Sequence, residues 1–256
     1  SDLSNESIVP PLGARQAPDI GPAALMVSTE PDLRSLGSLA RPKSRARFFM
    51  GDLICLDSGL SVAGPYIGAP YGVMLLESLI AKGACFILIL GWCGAITDEL
   101  TTGDLIIPDK AICDEGTSRN YQALDPDLET TLPDKDLSEG LATHLETAGM
   151  KAHRKAIWTT DAIYRETPGK VAWFKDRGAF AVEMECSALF AAAAFRKVKV
   201  AALLVVSDSL ASKDWDPGFR RKKFKQARTL ACKEVLSFGQ IMSAQNPLTE
   251  EPWTRK

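Results

Sequence analysis

Two uninterrupted apolar runs organise the chain. Residues 85–90 read Cys-Phe-Ile-Leu-Ile-Leu, and residues 200–206 read Val-Ala-Ala-Leu-Leu-Val-Val. Runs of this length without alternation suit strands of a parallel sheet covered on both faces. A similar run at 23–27 predicts a first strand, and looser alternation over 47–56 predicts another. Short strands are expected at 105–107 and 111–113, on either side of Pro108, and at 156–160. Helical spacing predicts a helix over 73–82 closed by Gly83, a common C-terminal cap. Further helices are expected at 137–148 and at 170–177, the latter ending at Gly178. A last one opens in the basic run 220–225 and repeats Phe224, Ala227, Ala231, Val235 and Phe238 on one face. Residues 125–136 read as an acidic, proline-bearing loop, and residues 179–182 are expected to lead into a helix holding Glu183 and Glu185 in its first turn.

Alternating strands and helices over 256 residues predict one α/β domain, ample for a buried core. Residues 1–22, rich in proline, glycine and polar side chains, read as a flexible N-terminal arm, with the domain over 23–245 and a tail over 246–256.

Charge narrows the functional classes. A formal net charge of -2 argues against a general nucleic-acid binder, which would present a basic face. The dense basic run 220–225 is then a solvated helix face, with a phosphate or nucleic-acid patch as the alternative. Six cysteines without Cys-x-x-Cys pairs, and only two histidines, leave no basis for a metal site. With no apolar run of membrane length and no secretory pattern, the expectation is a cytoplasmic protein without membrane contact.

The chemistry gathers where strands end. Residues 85–90 run into Gly91-Trp92-Cys93-Gly94, and residues 200–206 into Ser207-Asp208-Ser209. In open α/β sheets ligands sit just beyond the carboxyl ends of strands. Glu183-Met184-Glu185 heads an apolar stretch that continues to Ala194. A buried carboxylate needs a partner, and a hydroxyl-rich ligand such as a sugar diol offers donors to a pure acceptor. The plainer alternative is a helix N-terminus, whose dipole favours acids.

In chain order, Ile67-Gly68-Ala69-Pro70, Gly91-Trp92-Cys93-Gly94-Ala95, Gly103-Asp104-Leu105, Glu115-Gly116-Thr117-Ser118, Thr160-Asp161-Ala162-Ile163-Tyr164, Glu183-Met184-Glu185 and Ser207-Asp208 resemble the nucleoside phosphorylase family. That family includes purine nucleoside phosphorylases, uridine phosphorylases and nucleosidases. The resemblance implies a three-layer α/β/α fold around a central mixed, largely parallel sheet. It implies cleavage of the bond between a sugar's anomeric carbon and a base nitrogen, with inorganic phosphate as co-substrate and no cofactor. It also implies a homo-oligomer, a dimer or hexamer, acting on a small-molecule nucleoside.

The implied roles map onto single residues. Glu185 would accept from the ribose 2′- and 3′-hydroxyls, with Met184 packed on the sugar, although Met often fills cores. Asp208, where purine-specific members carry Asp, would donate to purine N7 as the base leaves, or else cap its own turn. Cys93 and Gly94 would border the base, and Tyr164 would stack on it or remain a half-buried aromatic. The 164–167 loop could also read a base edge. Residues 213–219, with Trp215 and Phe219, form a lid or simply seat two aromatics on the core.

The phosphate site departs from the pattern. The family presents a Gly-Asp-Pro-x-Arg loop after the first strand; here the stretch is Ser28-Thr29-Glu30-Pro31-Asp32-Leu33-Arg34, keeping Arg34 but not the glycine. Ile89 stands where an arginine is expected, and Trp92 where a small hydroxyl residue is expected. Arg34, with Arg45 or Arg47 from the same or a neighbouring subunit, or Arg119, would have to compensate, since arginine is the natural bidentate phosphate partner. Two alternatives follow. Water could replace phosphate, with Glu30 as base, as in nucleosidases. Or Trp92 could fill the anion pocket and leave a nucleoside-binding protein without turnover.

Overall fold

A computed structural model describes residues 7–13, 19–122, 129–212 and 214–246. Its core is a sheet flanked on both faces by helices, in one domain. The first strand, β1 (Ala23–Val27), lies between parallel neighbours β4 (Leu60–Gly64) and β5 (Phe86–Ala95), and β5 pairs in parallel with β10 (Lys199–Ser209). The side chains of β1 and β4 are buried throughout, and those of β5 and β10 nearly so, which is why their sequences do not alternate. Antiparallel β3 (Gly51–Leu56) and β2 (Pro42–Phe48) extend one edge.

On the other side the sheet curls. β6 (Leu105–Asp114), β8 (Ala152–Thr160) and β9 (Ala179–Glu183) run parallel to one another; β6 joins β10 and β9 joins β5 through short antiparallel pairings. Five strands thereby close on themselves and bring the carboxyl ends of β5, β8, β9 and β10 together.

One face is covered by α2 (Ala69–Lys82) and α5 (Cys186–Arg196), where Leu75, Leu76, Leu79, Leu189 and Phe190 pack on Ile87, Ile89 and Val206. The other is covered by α1 (Glu30–Leu39), α3 (Lys135–Thr147) and α6 (Lys222–Gln245), with Leu33, Leu36, Leu141 and Leu145 beside Phe224, Val235 and Phe238. Burial of such side chains, about 1.5–3 kcal/mol each, is the main force holding the layers together. A smaller cluster seats α4 (Pro168–Asp176) on β8, with Trp158 stacked on Phe174 at 4.2 Å.

Several elements differ from the sequence reading. The expected strand over 47–56 is split by a turn at Phe49, whose φ of 54° reverses the chain between β2 and β3. The two short strands around Pro108 are one strand, β6, whose register to β8 shifts between Pro108 and Ala111. The irregularity lets the strand accommodate a residue with no N–H to donate. The expected loop over 125–136 lies partly outside the described residues; its remainder holds β7 (Thr130–Thr131) and the start of α3 at Lys135. At the head of the domain Ile20 is buried, and Lys82 pairs with Asp19 at 2.6 Å.

Candidate active site

Glu183 and Glu185 do not share a helical turn. Glu183 ends β9, and α5 starts at Cys186 with Glu185 as its N-cap. One oxygen of Glu183 accepts the backbone N–H groups of Glu185 and Cys186, each at 2.8 Å, and the other accepts the Thr159 hydroxyl. Thr159 Oγ1 in turn accepts the N–H of Ser187 at 3.0 Å. Three N–H groups at the head of α5 are thus satisfied, so the helix-terminus reading holds for Glu183.

Glu185 is different. Its Oε1 accepts the Gly68 N–H, at 2.6 Å, from the loop between β4 and α2, and the Met184 backbone N–H also favours its charged form. Burial and the neighbouring Glu183 charge push its carboxyl up to about 8. Burial raises Glu183 too, but its three hydrogen bonds pull the other way, so Glu183 is the better-held anion. Tyr66 stands close by: buried, its hydroxyl has no partner among the described residues, and burial and then the Glu185 charge raise its pKa. Met184, between the two acids, is half-buried.

Asp208 lies near the end of β10, opposite Gly94 of β5. The ladder slips by one residue at Ser207, and such a bulge re-aims the side chains that follow. A Cβ on Gly94 would stand 3.2 Å from Asp208 Oδ2 and 2.6 Å from Leu210 Cδ1, so glycine makes room for this carboxylate. Asp208 Oδ1 accepts the Ser207 hydroxyl at 2.5 Å, and Oδ2 accepts the Trp215 indole N–H at 2.8 Å. Cys93 is buried, and burial first, then the Asp208 and Glu183 charges, push its thiol up.

The structure therefore brings Met184, Glu185, Cys93, Gly94 and Asp208 to one end of the curled sheet. Tyr164 is on the loop after β8 and is 97% exposed. Glu166, two residues on, is half-buried, and its carboxyl is pushed up to about 7 by burial and then by Asp208.

The arginines and Glu30 lie elsewhere. Glu30 and Arg34 pair with each other at 2.5 Å on the exposed first turns of α1. Arg45 pairs with Asp52, and Arg47 is exposed on the same edge strand, β2. That strand is four places from β5, about 19 Å of sheet at ~4.8 Å per strand. Arg119 pairs with Glu129.

The place after β1 where an anion was expected is filled from within. Asp32, fully buried in the first turn of α1, accepts the Trp92 indole N–H at 2.6 Å and the Thr29 hydroxyl at 2.9 Å. Arg228 Nε approaches its other oxygen at 2.5 Å as an ion pair, with the N–H turned outside hydrogen-bond geometry. Trp92 also packs edge-on against Phe224. No local signal announced this cluster, because its members come from β5, α1 and α6. Among the described residues, no group of three or more His, Cys, Asp or Glu is placed to hold a metal ion, and no helix is long and apolar enough to cross a membrane.

The curled sheet gathers a buried carboxylate, Glu185, and a strand-end aspartate, Asp208, at one end. Comparison with known proteins makes the assignment. The chain belongs to the phosphorylase superfamily, whose family model matches residues 23–238. A guanosine phosphorylase of Halorubrum lacusprofundi is 28% identical over 151 residues, covering 59% of this chain and 61% of that one. A DeoD-type purine nucleoside phosphorylase of Hahella chejuensis is 31% identical over 187 residues, 70% of this chain and 76% of that one. The match thus spans about three-fifths of the first relative's length and three-quarters of the second's. Among solved structures, the purine nucleoside phosphorylase of Toxoplasma gondii in complex with immucillin-H superposes with a TM-score of 0.79 at 18% identity, covering 94% of this chain and 98% of that one, which speaks to fold alone.

Proposed function

We propose that this protein is a purine nucleoside phosphorylase, cleaving the N-glycosidic bond with inorganic phosphate to give free base and ribose 1-phosphate. The observation that carries the reading is that Glu185, a buried carboxylate held by backbone donors, is gathered with Asp208 at one end of the curled sheet. Glu185 binds the ribose hydroxyls with the sugar against Met184. Asp208, protonated, donates to N7 as the bond breaks, help worth roughly 10²–10⁴ in rate. The purine phosphorylases among the relatives support this choice of base. A homo-oligomer, dimer or hexamer, is part of the proposal; it would let Arg45 and Arg47 of the exposed edge strand serve a neighbour's site rather than their own.

A second reading, hydrolysis, is favoured by one feature. The donors after β1 and at Trp92 are spent on Asp32, so the expected phosphate place already holds a carboxylate. Glu30, the base named for this alternative, pairs with Arg34 on the exposed first turns of α1.

Incubation with inosine, adenosine, guanosine and uridine, with and without phosphate, separates the readings. Ribose 1-phosphate formed only with phosphate supports the first, and free ribose in either condition supports the second. Binding without either product would sink both.

A further inference from the structure

Both oxygens of Asp208 are taken by neighbours. Oδ1 accepts the Ser207 hydroxyl at 2.5 Å, and Oδ2 accepts the Trp215 indole N–H at 2.8 Å. The two neighbours are held differently. Ser207 is buried beside Asp208 on β10, and its hydroxyl also lies 3.2 Å from the Cys93 carbonyl oxygen. Trp215 is 60% exposed, and its ring meets Phe219, tilted, at 6.1 Å. The backbone next to it is anchored, because Asp216 pairs with Ser209 of β10 and with Arg221 at 2.5 Å. Rotation of the Trp215 side chain alone therefore frees Oδ2, whereas Oδ1 is freed only by disturbing the strand.

Oδ2 is also the oxygen on the side of Gly94. It stands 3.2 Å from the point where a Cβ on Gly94 would lie, so the bare backbone of that residue adjoins it. Cys93 and Gly94 are the residues that the purine reading sets beside the base. In a purine riboside N7 carries only a lone pair, and an indole N–H only donates. One needs a proton on the carboxyl oxygen and the other needs a lone pair, so the two cannot share one position on Oδ2.

We propose that Trp215 is an internal competitor for the base: its indole N–H occupies the position on Asp208 that purine N7 takes, and a purine riboside binds by displacing it. This rests on the purine reading above. In the empty site the indole gives Asp208 a partner. When the riboside enters, one hydrogen bond within the protein is exchanged for one to the ligand, so Trp215 lowers the apparent affinity for purines. A 7-deazapurine, with C–H in place of N7, offers nothing in the exchange.

The test uses carbocyclic inosine, whose sugar ring lacks the oxygen that assists bond breaking, so that it binds without turnover. Calorimetry should show it binding Trp215→Phe about 2- to 10-fold more tightly than wild type, the factor that one net hydrogen bond supplies. In spectra of protein with 15N-labelled indoles, the signal that is lost in Trp215→Phe should shift when the ligand is added to wild type. In an Asp208→Ala background, Trp215→Phe should bring no gain. A Trp215 signal unmoved by bound ligand would overturn the inference, as would equal or weaker binding by Trp215→Phe, or a gain that persists without the Asp208 carboxyl. Each of these leaves the purine reading standing. Wild type that neither binds carbocyclic inosine nor cleaves inosine would remove the purine reading, and this inference with it.

Discussion

Two glutamates one residue apart serve different ends. Glu183 spends its carboxylate on the head of α5, while Glu185, held by backbone N–H groups, keeps acceptor positions for something outside the chain. Replacing Glu185 by Ala should weaken riboside binding by about 1–3 kcal/mol, two hydrogen bonds at about 0.5–1.5 kcal/mol each. It should leave affinity for free bases nearly unchanged, as titration calorimetry with inosine and hypoxanthine will register. Equal losses would instead make the residue a structural one. For Asp208→Asn the expected change is in kcat, about 10²–10⁴ lower on purine ribosides with near-normal binding; stopped-flow turnover beside equilibrium binding decides it. Both residues were legible in the sequence because each closes or opens a long apolar run, where a charge is out of place. Glu166 was named only as part of a loop, since nothing local says that burial and the Asp208 charge raise its carboxyl.

At the scale of elements, the segment after Asp208 is tied down where it returns to the sheet. β11 (Asp216–Pro217) pairs with the end of β10, and Gly218 passes so close that a Cβ there would lie 2.3 Å from Thr102 Cγ2 and 2.5 Å from the Ser207 carbonyl oxygen. Gly218→Ala should therefore cost about 1–3 kcal/mol of stability through overpacking. It should also slow purine cleavage, because Ser207 holds Asp208; a thermal melt paired with an inosine assay checks the two together. The head of α1 offers a second case. Asp32→Ala would leave Arg228 largely buried without its counter-ion, a loss of about 3–5 kcal/mol. Adding Arg228→Met should recover much of it, and denaturant titration of single and double variants measures the difference. Sequence reading took residues 28–34 for a loop, because a proline after Glu30 marks a loop as well as it marks a helix start. Only the packing of Leu33 and Leu36 on the sheet makes it a helix.

For the whole molecule, the site carries a cost that depends on pH. Glu166 and Glu185 are pushed up to about 7 and about 8, burial being the first cause of each. A carboxyl held above its unfolded value favours the folded state while protonated, and that advantage is lost as pH rises. Stability of the free protein should thus decline from about pH 4.5 to about pH 8, and melting temperatures across that range, compared with those of Glu185→Gln, will show whether the slope shrinks.

The alternation of apolar strands and amphipathic helices by itself determined the layered α/β fold, because burial on one or two faces is written in the period of the sequence. It also marked Glu185, Asp208, Cys93 and Gly94, since polar residues and glycines at the ends of buried strands have few other reasons to be there. The tertiary structure alone decided which acid satisfies the N–H groups at the head of α5 and which turns to the Gly68 loop. It alone closed β5 and β9 against β6, β8 and β10, and it alone brought Trp92, Asp32 and Arg228 into one cluster. Those outcomes depend on contacts between residues some 60 to 200 positions apart. No local propensity encodes such contacts; they follow from which surfaces the sheet's curl makes neighbours.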